Sequence, residues 1–288
     1  MPAFPTTSQA HRVSAYYDAN TQPFYLERWH PEDVHFGLFP DGADPRDHHT
    51  GVKCMTQHLV APAAISAGDF VLDAGCGVGG ASLDIARTTG AHVLGVTISK
   101  LQVDLASERA RVAGLGDFAR FELADCSTHL PLGDASVDVV VTIEAACHFD
   151  DKPNFLRECR RVLKPGGRLV GSDWMAKAGI GSDEYREFIQ PVCSAWHLAG
   201  LETPRRWREM LDAAGFETRD CTDLAEQVLA NANILARARL DLMLEVANGC
   251  HPPRTAELWA AQYDTLVHAW FERRFTIGRF FAVAPKRP

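Results

Sequence analysis

The chain has 288 residues, 46% of them hydrophobic and 23% charged, enough for one large α/β domain with an added lid or for two small domains. Its formal net charge of −8 argues against a nucleic-acid or membrane-surface binder, which would carry basic patches. No run approaches the ~20 apolar residues of a membrane helix, and the start "MPAFPTTSQAHRVSAYYD" lacks the charged-then-apolar pattern of a secretion signal.

Residues 8–60 mix aromatics, histidines and turn formers. Val13 to Tyr17 and Phe24 to Trp29 read as helical, "PDGADP" as a loop, and Met55 to Ala64 as a helix. The pattern then changes. "DFVLDAGCGVGG" is an apolar strand followed by a glycine-rich turn, and "ASLDIARTTG" is a helix stopped by glycine. "AHVLGVTI" is a strand, and "SKLQVDLASERARVAG" a helix with Ser99 as its cap. "FARFELA" and "SVDVVVTI" are strands; "DKPNFLRECRRVLKPGG" is an amphipathic helix closed by Pro-Gly-Gly; "RLVGSDWM" is the fifth strand. A first insertion spans about residues 176–203. "TPRRWREMLDAAG" is a helix and "FETRDCTDL" a strand, a second helical insertion covers about 225–273, and "FTIGRFFAVAP" is the last strand.

Alternating strands and helices predict right-handed βαβ units, a mostly parallel sheet, and a ligand crevice beyond the carboxyl ends of the strands. The domain reading is an aromatic-rich arm at 1–60 and a ligand-binding domain at 61–288, with the arm and both insertions covering the crevice. The eight cysteines are scattered and form no CxxC pair. They read as free thiols in a reducing cytoplasm.

"VLDAGCGVGG" sets Gly75, Gly77 and Gly79 in a tight strand-to-helix turn, where glycine lets the backbone bend and approach a ligand. Asp73 stands two residues upstream of Gly75. An acid there repels a pyrophosphate and attracts a cationic or zwitterionic ligand, which favours S-adenosylmethionine (SAM) over a dinucleotide.

These residues resemble the first motif of class I SAM-dependent methyltransferases. "FLRECRRVLKPGGRLVGSDW" and "AAGFETRDCTDL" resemble their later motifs, and the likeness runs from about residue 60 to 288. The resemblance implies a Rossmann-like, doubly wound, seven-stranded, mostly parallel sheet with an antiparallel last strand and helical lid insertions. It places Gly75, Cys76, Gly77 and Gly79 against the methionine part of SAM, with Asp73 supporting the turn or the ammonium. The acid that usually ends the second strand is replaced by Thr97 in "GVTISKLQ". A similar element occurs in cyclopropane-fatty-acid-type methyltransferases, which assigns Thr97, Ile98 and Gln102 to the ribose side; otherwise Thr97 caps the next helix. Asp125, with Cys126 beside it, is placed at the adenine amino group.

"VVVTIEAACHF" ends an apolar strand in Glu144 and, four residues on, His148. The segment resembles one in sterol side-chain, tocopherol and prenyl diphosphate C-methyltransferases, and the start "YYDANTQPFYLERWHPEDVHFGLF" is similar to the opening of the tocopherol and sterol group. Methyl transfer to an alkene leaves a carbocation, which needs a preorganised negative group and a base. Glu144 can serve as both, and as a SAM-side contact, while aromatic faces add cation–π attraction. Tyr17, Tyr25, Trp29, Phe36, Phe149, Trp174 and Trp196 are the expected substrate-lining residues. Methylation of a hydroxyl or amine needs less, and there His148 is the natural base. Otherwise His148 packs beside the sulfonium with no proton chemistry.

The leading expectation is C-methylation of a small hydrophobic isoprenoid. The alternative is an N- or O-methyltransferase of a small natural product, and a third is a SAM-binding cyclase or regulator that transfers no methyl. A diphosphate would need cations, for which "RDHHTGVK" offers Arg46, His48, His49 and Lys53, and "PRRWR" offers Arg205, Arg206 and Arg208. Adjacent His48 and His49 point apart, so no dedicated metal site is expected; Mg2+ enters only with a diphosphate substrate. No nucleic-acid partner and no stable membrane insertion are expected, and a homo-oligomer stays open.

Overall fold

The computed structural model describes residues 8–41, 43–44 and 46–286. Residues 1–7 of the stretch read for a secretion signal, and Gly42 and Pro45 of the expected loop, lie outside them.

Seven strands form one sheet: β1 (Phe70–Ala74), β2 (His92–Thr97), β3 (Ala119–Leu123), β4 (Val137–Ile143), β5 (Leu163–Ala176), β6 (Glu217–Asp223) and β7 (Phe275–Val283), in the order β3-β2-β1-β4-β5-β7-β6. Strands β1 to β5 pair in parallel, and β7 runs antiparallel between β5 and β6. Alternate residues of one strand feed opposite cores. Val71, Val93, Val139 and Val141 face one apolar cluster; Leu72, Leu94, Val140 and Leu169 face the other. Burial on both faces is why these strands read as unbroken β-branched runs.

The helices are α1 (Gln9–Asn20), α2 (His48–Val60), α3 (Gly80–Thr89), α4 (Lys100–Val112), α5 (Lys152–Val162), α6 (Ser182–Glu184), α7 (Gln190–Ala195), α8 (Pro204–Ala213), α9 (Ala225–Val228), α10 (Ala230–Ala247) and α11 (Pro253–Phe271). A π-helical segment, Thr21–Leu26, prolongs α1, and another, Tyr185–Ile189, joins α6 to α7. Among the described residues, no helix is long and apolar enough to cross a membrane.

Four boundaries differ from the sequence reading. Helix α1 starts at Gln9 rather than Val13, because Ser8 caps it and accepts from the His11 amide at 3.1 Å. Helix α2 starts at His48 rather than Met55, because the Asp47 side chain caps it through the Thr50 amide at 3.0 Å. It stops at Val60, just before Pro62. The "LKPGG" expected to close α5 lies in β5, since the residue before a proline avoids helical backbone.

The arm packs into the sheet's core rather than beside it. Tyr16, Phe24, Tyr25, Phe36, Met55 and Leu59 share the apolar cluster that holds Val71 and Val139. The strand order reverses between β1 and β4, the place where an open α/β sheet leaves a crevice at its carboxyl edge.

Candidate active site

The turn after β1 is built on left-handed backbone: Gly75, Gly77 and Gly79 have φ of 90°, 52° and 84°, a region that costs an L side chain strain. Space is equally tight. A Cβ on Gly75 would lie 2.2 Å from the Ala145 Cβ, on the tip of β4. The turn and the Glu144 tip are therefore pressed together across the crevice.

Glu144 itself has φ of 52°, a left-handed conformation uncommon outside glycine that costs strain and persists only where the surroundings hold it. Its amide donates to the Ser172 carbonyl at 2.8 Å. Its Oε1 accepts from the Phe36 amide at 3.0 Å and its Oε2 from Trp174 Nε1 at 2.7 Å. Burial pushes the carboxyl pKa up to about 8, against the pull of those two donors. Glu144 therefore keeps its proton at neutral pH, and both of its oxygens already have protein partners.

His148 follows in a single 3-10 turn, Ala146–His148. Its Nδ1 lies 3.1 Å from the His197 carbonyl oxygen, which can only accept, so Nδ1 carries the proton. Burial lowers the imidazole pKa to about 4. In the neutral ring Nε2 is then the acceptor, and the Tyr17 hydroxyl, 2.9 Å away, donates to it. The His197 carbonyl also accepts from Gln9 Nε2 at 2.6 Å. The β4 tip, the arm and the first insertion thus meet at one imidazole.

A cavity of about 260 Å3 opens over the turn, lined by Gly75, Gly77, Thr97, Ile98, Gln102, Asp125, Cys126, Glu144, His148, Phe149 and Tyr17. Thr97 Oγ1 donates to Gln102 Oε1 at 2.7 Å, and Gln102 Nε2 donates to Thr21 Oγ1 at 3.2 Å, tying the end of β2 to the arm. Asp125 Oδ1 accepts from the Ser127 amide and hydroxyl at 2.9 and 2.6 Å. A smaller enclosed cavity, about 30 Å3, adjoins it between Tyr17, Tyr25, Glu144, His148, Trp174 and Trp196.

Some predicted residues sit elsewhere. Asp73 and Cys76 line a small void beneath the turn. Asp73 is buried, accepts from Ser82 Oγ at 2.5 Å, and is raised to about 6 by burial. Gly79 is the N-cap of α3, where a Cβ would meet Ala106 and Phe121 at 2.9 Å. Trp29 and Phe36 line neither cavity. Trp29 packs on Phe36 and His48, and Phe36 against Trp174 and Trp270, because the backbone of Phe36 is drawn to Glu144. Sequence reasoning passed over Gln9, Val13 and Val34, which line the main cavity. Gln9, Val13 and Tyr17 recur every four residues along α1, the spacing of one helix face. No residue pattern could have shown that the His197 carbonyl orients His148.

A methyltransferase domain family matches residues 72–171. Methyltransferase GfsG of Streptomyces halstedii is 32% identical over 88% of this chain and 89% of its own length. The chain is a class I SAM-dependent methyltransferase. A second relative, the O-methyltransferase resE of Aspergillus sclerotiorum, is 30% identical over 74% of this chain and 79% of that protein. A solved geranyl diphosphate C-methyltransferase from Streptomyces coelicolor A3(2) superposes with a TM-score of 0.76 at 19% identity, covering 97% of this chain and all of that one, and so shares the fold. The cofactor is SAM, which supplies an electrophilic methyl group when bound. The glycine turn that admits no Cβ and the polar Thr97–Gln102 pair at the cavity wall fit such a ligand. Among the described residues of the methyltransferase, no cluster of three His, Cys, Asp or Glu could hold a metal ion.

Proposed function

We propose that this methyltransferase transfers the methyl group to a hydroxyl oxygen of a small, largely apolar natural product. The Tyr17–His148 pair carries the reading. A neutral imidazole, held in one tautomer by a backbone carbonyl, receives a phenol that faces the cavity. An acceptor hydroxyl bonded to Tyr17 loses its proton through that phenol to His148 Nε2. Its oxygen bonds the methyl carbon as the sulfur–methyl bond breaks, and S-adenosylhomocysteine and a protonated His148 remain. An amine acceptor needs no such base, because its lone pair attacks directly once it is unprotonated. The O-methyltransferase relative supports the same direction.

One observation favours the second reading, C-methylation of an isoprenoid alkene. The enclosed cavity sets the rings of Tyr17, Tyr25, Trp174 and Trp196 around Glu144, an arrangement that suits a transient carbocation. The fold it shares with the geranyl diphosphate enzyme is compatible with that chemistry.

The test is label transfer from methyl-labelled SAM to a panel of phenols, aliphatic alcohols, amines and prenyl diphosphates, with the methylated atom located by NMR. Label on oxygen, with His148→Ala severely impaired and Glu144→Gln tolerated, is the expected result. Label on carbon alone, with the two variants exchanging places, would overturn hydroxyl methylation in favour of the carbocation route.

A further inference from the structure

We propose that the acceptor is uncharged where it enters the site, an apolar alcohol without a phosphate, diphosphate or carboxylate group. This takes the hydroxyl acceptor proposed above and adds its charge. Among the described residues, no lysine or arginine lines the main or the enclosed cavity, whereas Asp125, Asp150 and Asp151 line the main one.

The cations beside the crevice and in the two basic segments have partners of their own; Arg12 on α1, next to the main cavity, donates to Gln9 Oε1 at 2.8 Å. Buried Lys152 spends its Nζ on the carbonyls of Phe149 and Gly200, at 3.3 and 3.0 Å. Lys53 is held by Glu32, Asp33 and Asp84 at 2.9, 3.2 and 2.9 Å. Arg46 pairs with Asp44, and Arg205 and Arg206 with Glu209. Arg208 reaches the Thr218 carbonyl on β6.

Helix N-termini are the other common anion sites; at the main cavity the start of α1 is taken by its own cap, the Ser8 hydroxyl, which accepts from the His11 amide at 3.1 Å, and the starts of α5, α4 and α3 face carboxylates. The Asp151 side chain caps α5 through the Asn154 amide at 2.8 Å. Asp18 accepts from the α4 cap Ser99 and from the Leu101 amide. At α3, Asp73 holds Ser82, and Asp33 lies so close to Gly80 that a Cβ there would come within 2.0 Å of its Oδ1. A bound phosphate would meet acids where it needs donors, and its charge would be desolvated without a partner. The same acidity favours the positive charge of SAM. The raised Glu144 carboxyl and the unprotonated His148 agree, since the pocket already resists one negative charge and offers no imidazolium.

The test has two arms. Enzyme saturated with S-adenosylhomocysteine is titrated by calorimetry with inorganic pyrophosphate, with and without Mg2+; no saturable binding is expected, and a Kd of about 1 mM or tighter overturns the proposal. Matched diols and their monophosphates, which keep one free hydroxyl as acceptor, are then compared by label transfer. The diol is expected to win by tenfold or more in kcat/KM for any pair turned over, and a phosphate equal or better overturns the proposal. If no pair is turned over, the pyrophosphate titration decides. Label on carbon with the uncharged partner still favoured would sink hydroxyl methylation and leave the charge assignment standing; a favoured phosphate methylated on oxygen would do the reverse.

Discussion

His148 Nδ1 meets a carbonyl and its Nε2 meets a phenol, so a single ring orientation leaves Nε2 as the acceptor toward Tyr17; in the proposed hydroxyl methylation it is the base. Removing it by His148→Ala is expected to lower kcat about 10²- to 10⁴-fold, the usual worth of a positioned general base. Tyr17→Phe should cost less, because an acceptor hydroxyl can then reach Nε2 directly. The base works only when unprotonated, and its pKa is lowered to about 4 by burial. Activity should therefore persist as pH falls through the ordinary histidine range near 6.5 and drop only near 4. A kcat/KM profile that falls with an inflection at 6.5 would remove His148 from that role. Neither Glu144 nor His148 was hard to notice in the sequence, since an acid and an imidazole at a strand tip stand out. The protonation and orientation of each were not legible. They depend on Phe36, Trp174, Tyr17 and His197, which come from three distant parts of the chain.

Among the elements, the turn between β1 and α3 does the most to place the site. Its glycines were legible as a motif because their spacing is local. Why Gly75 must be glycine depends on β4, whose Ala145 occupies the space that a Cβ would need. Gly75→Ala is expected to lower stability by roughly 1–3 kcal/mol through overpacking, and to weaken S-adenosylhomocysteine binding as the turn and the β4 tip are forced apart. Calorimetry and thermal melts check both, with Gly68→Ala as the control, since nothing lies within 4 Å of that position. The strands were readable from β-branched runs, and the helix starts were missed where a capping side chain, at Ser8 and Asp47, extended the helix upstream. Caps decide boundaries by one hydrogen bond, which periodicity does not register.

At the scale of the whole molecule, α1 and the π-helical segment that prolongs it are tied to the start of α4 and to α11. Asp18 holds Ser99 and Leu101 at the start of α4, Thr21 holds Gln102, and Trp259 of α11 donates to Asn20 at 2.9 Å. Asp18→Ala is expected to weaken SAM binding several-fold and to lower the amide-exchange protection of α1 in the SAM-bound enzyme. Unchanged protection would mean that the tie does not depend on this acid. Saturating SAM should raise stability by about 2.7 kcal/mol at 100 times Kd in the wild type, and the variant should need a higher concentration to reach the same gain.

The sequence by itself determined the sheet, the glycine turn and the acid and imidazole at the tip of the fourth strand, which are written in short-range periodicity and spacing that local physics enforces. The cofactor class came from the resemblance of its motifs to class I SAM-dependent methyltransferases. Tertiary structure alone decided that burial raises the Glu144 carboxyl and lowers the His148 imidazole, that a backbone carbonyl fixes the His148 tautomer, that Trp29 and Phe36 pack away from the cavities, and that, among the described residues, no lysine or arginine lines either cavity. Those properties arise from desolvation and from partners brought together across more than a hundred residues of chain, as with Phe36 and Glu144 or Tyr17 and His148. No window of the sequence contains both members of such a pair.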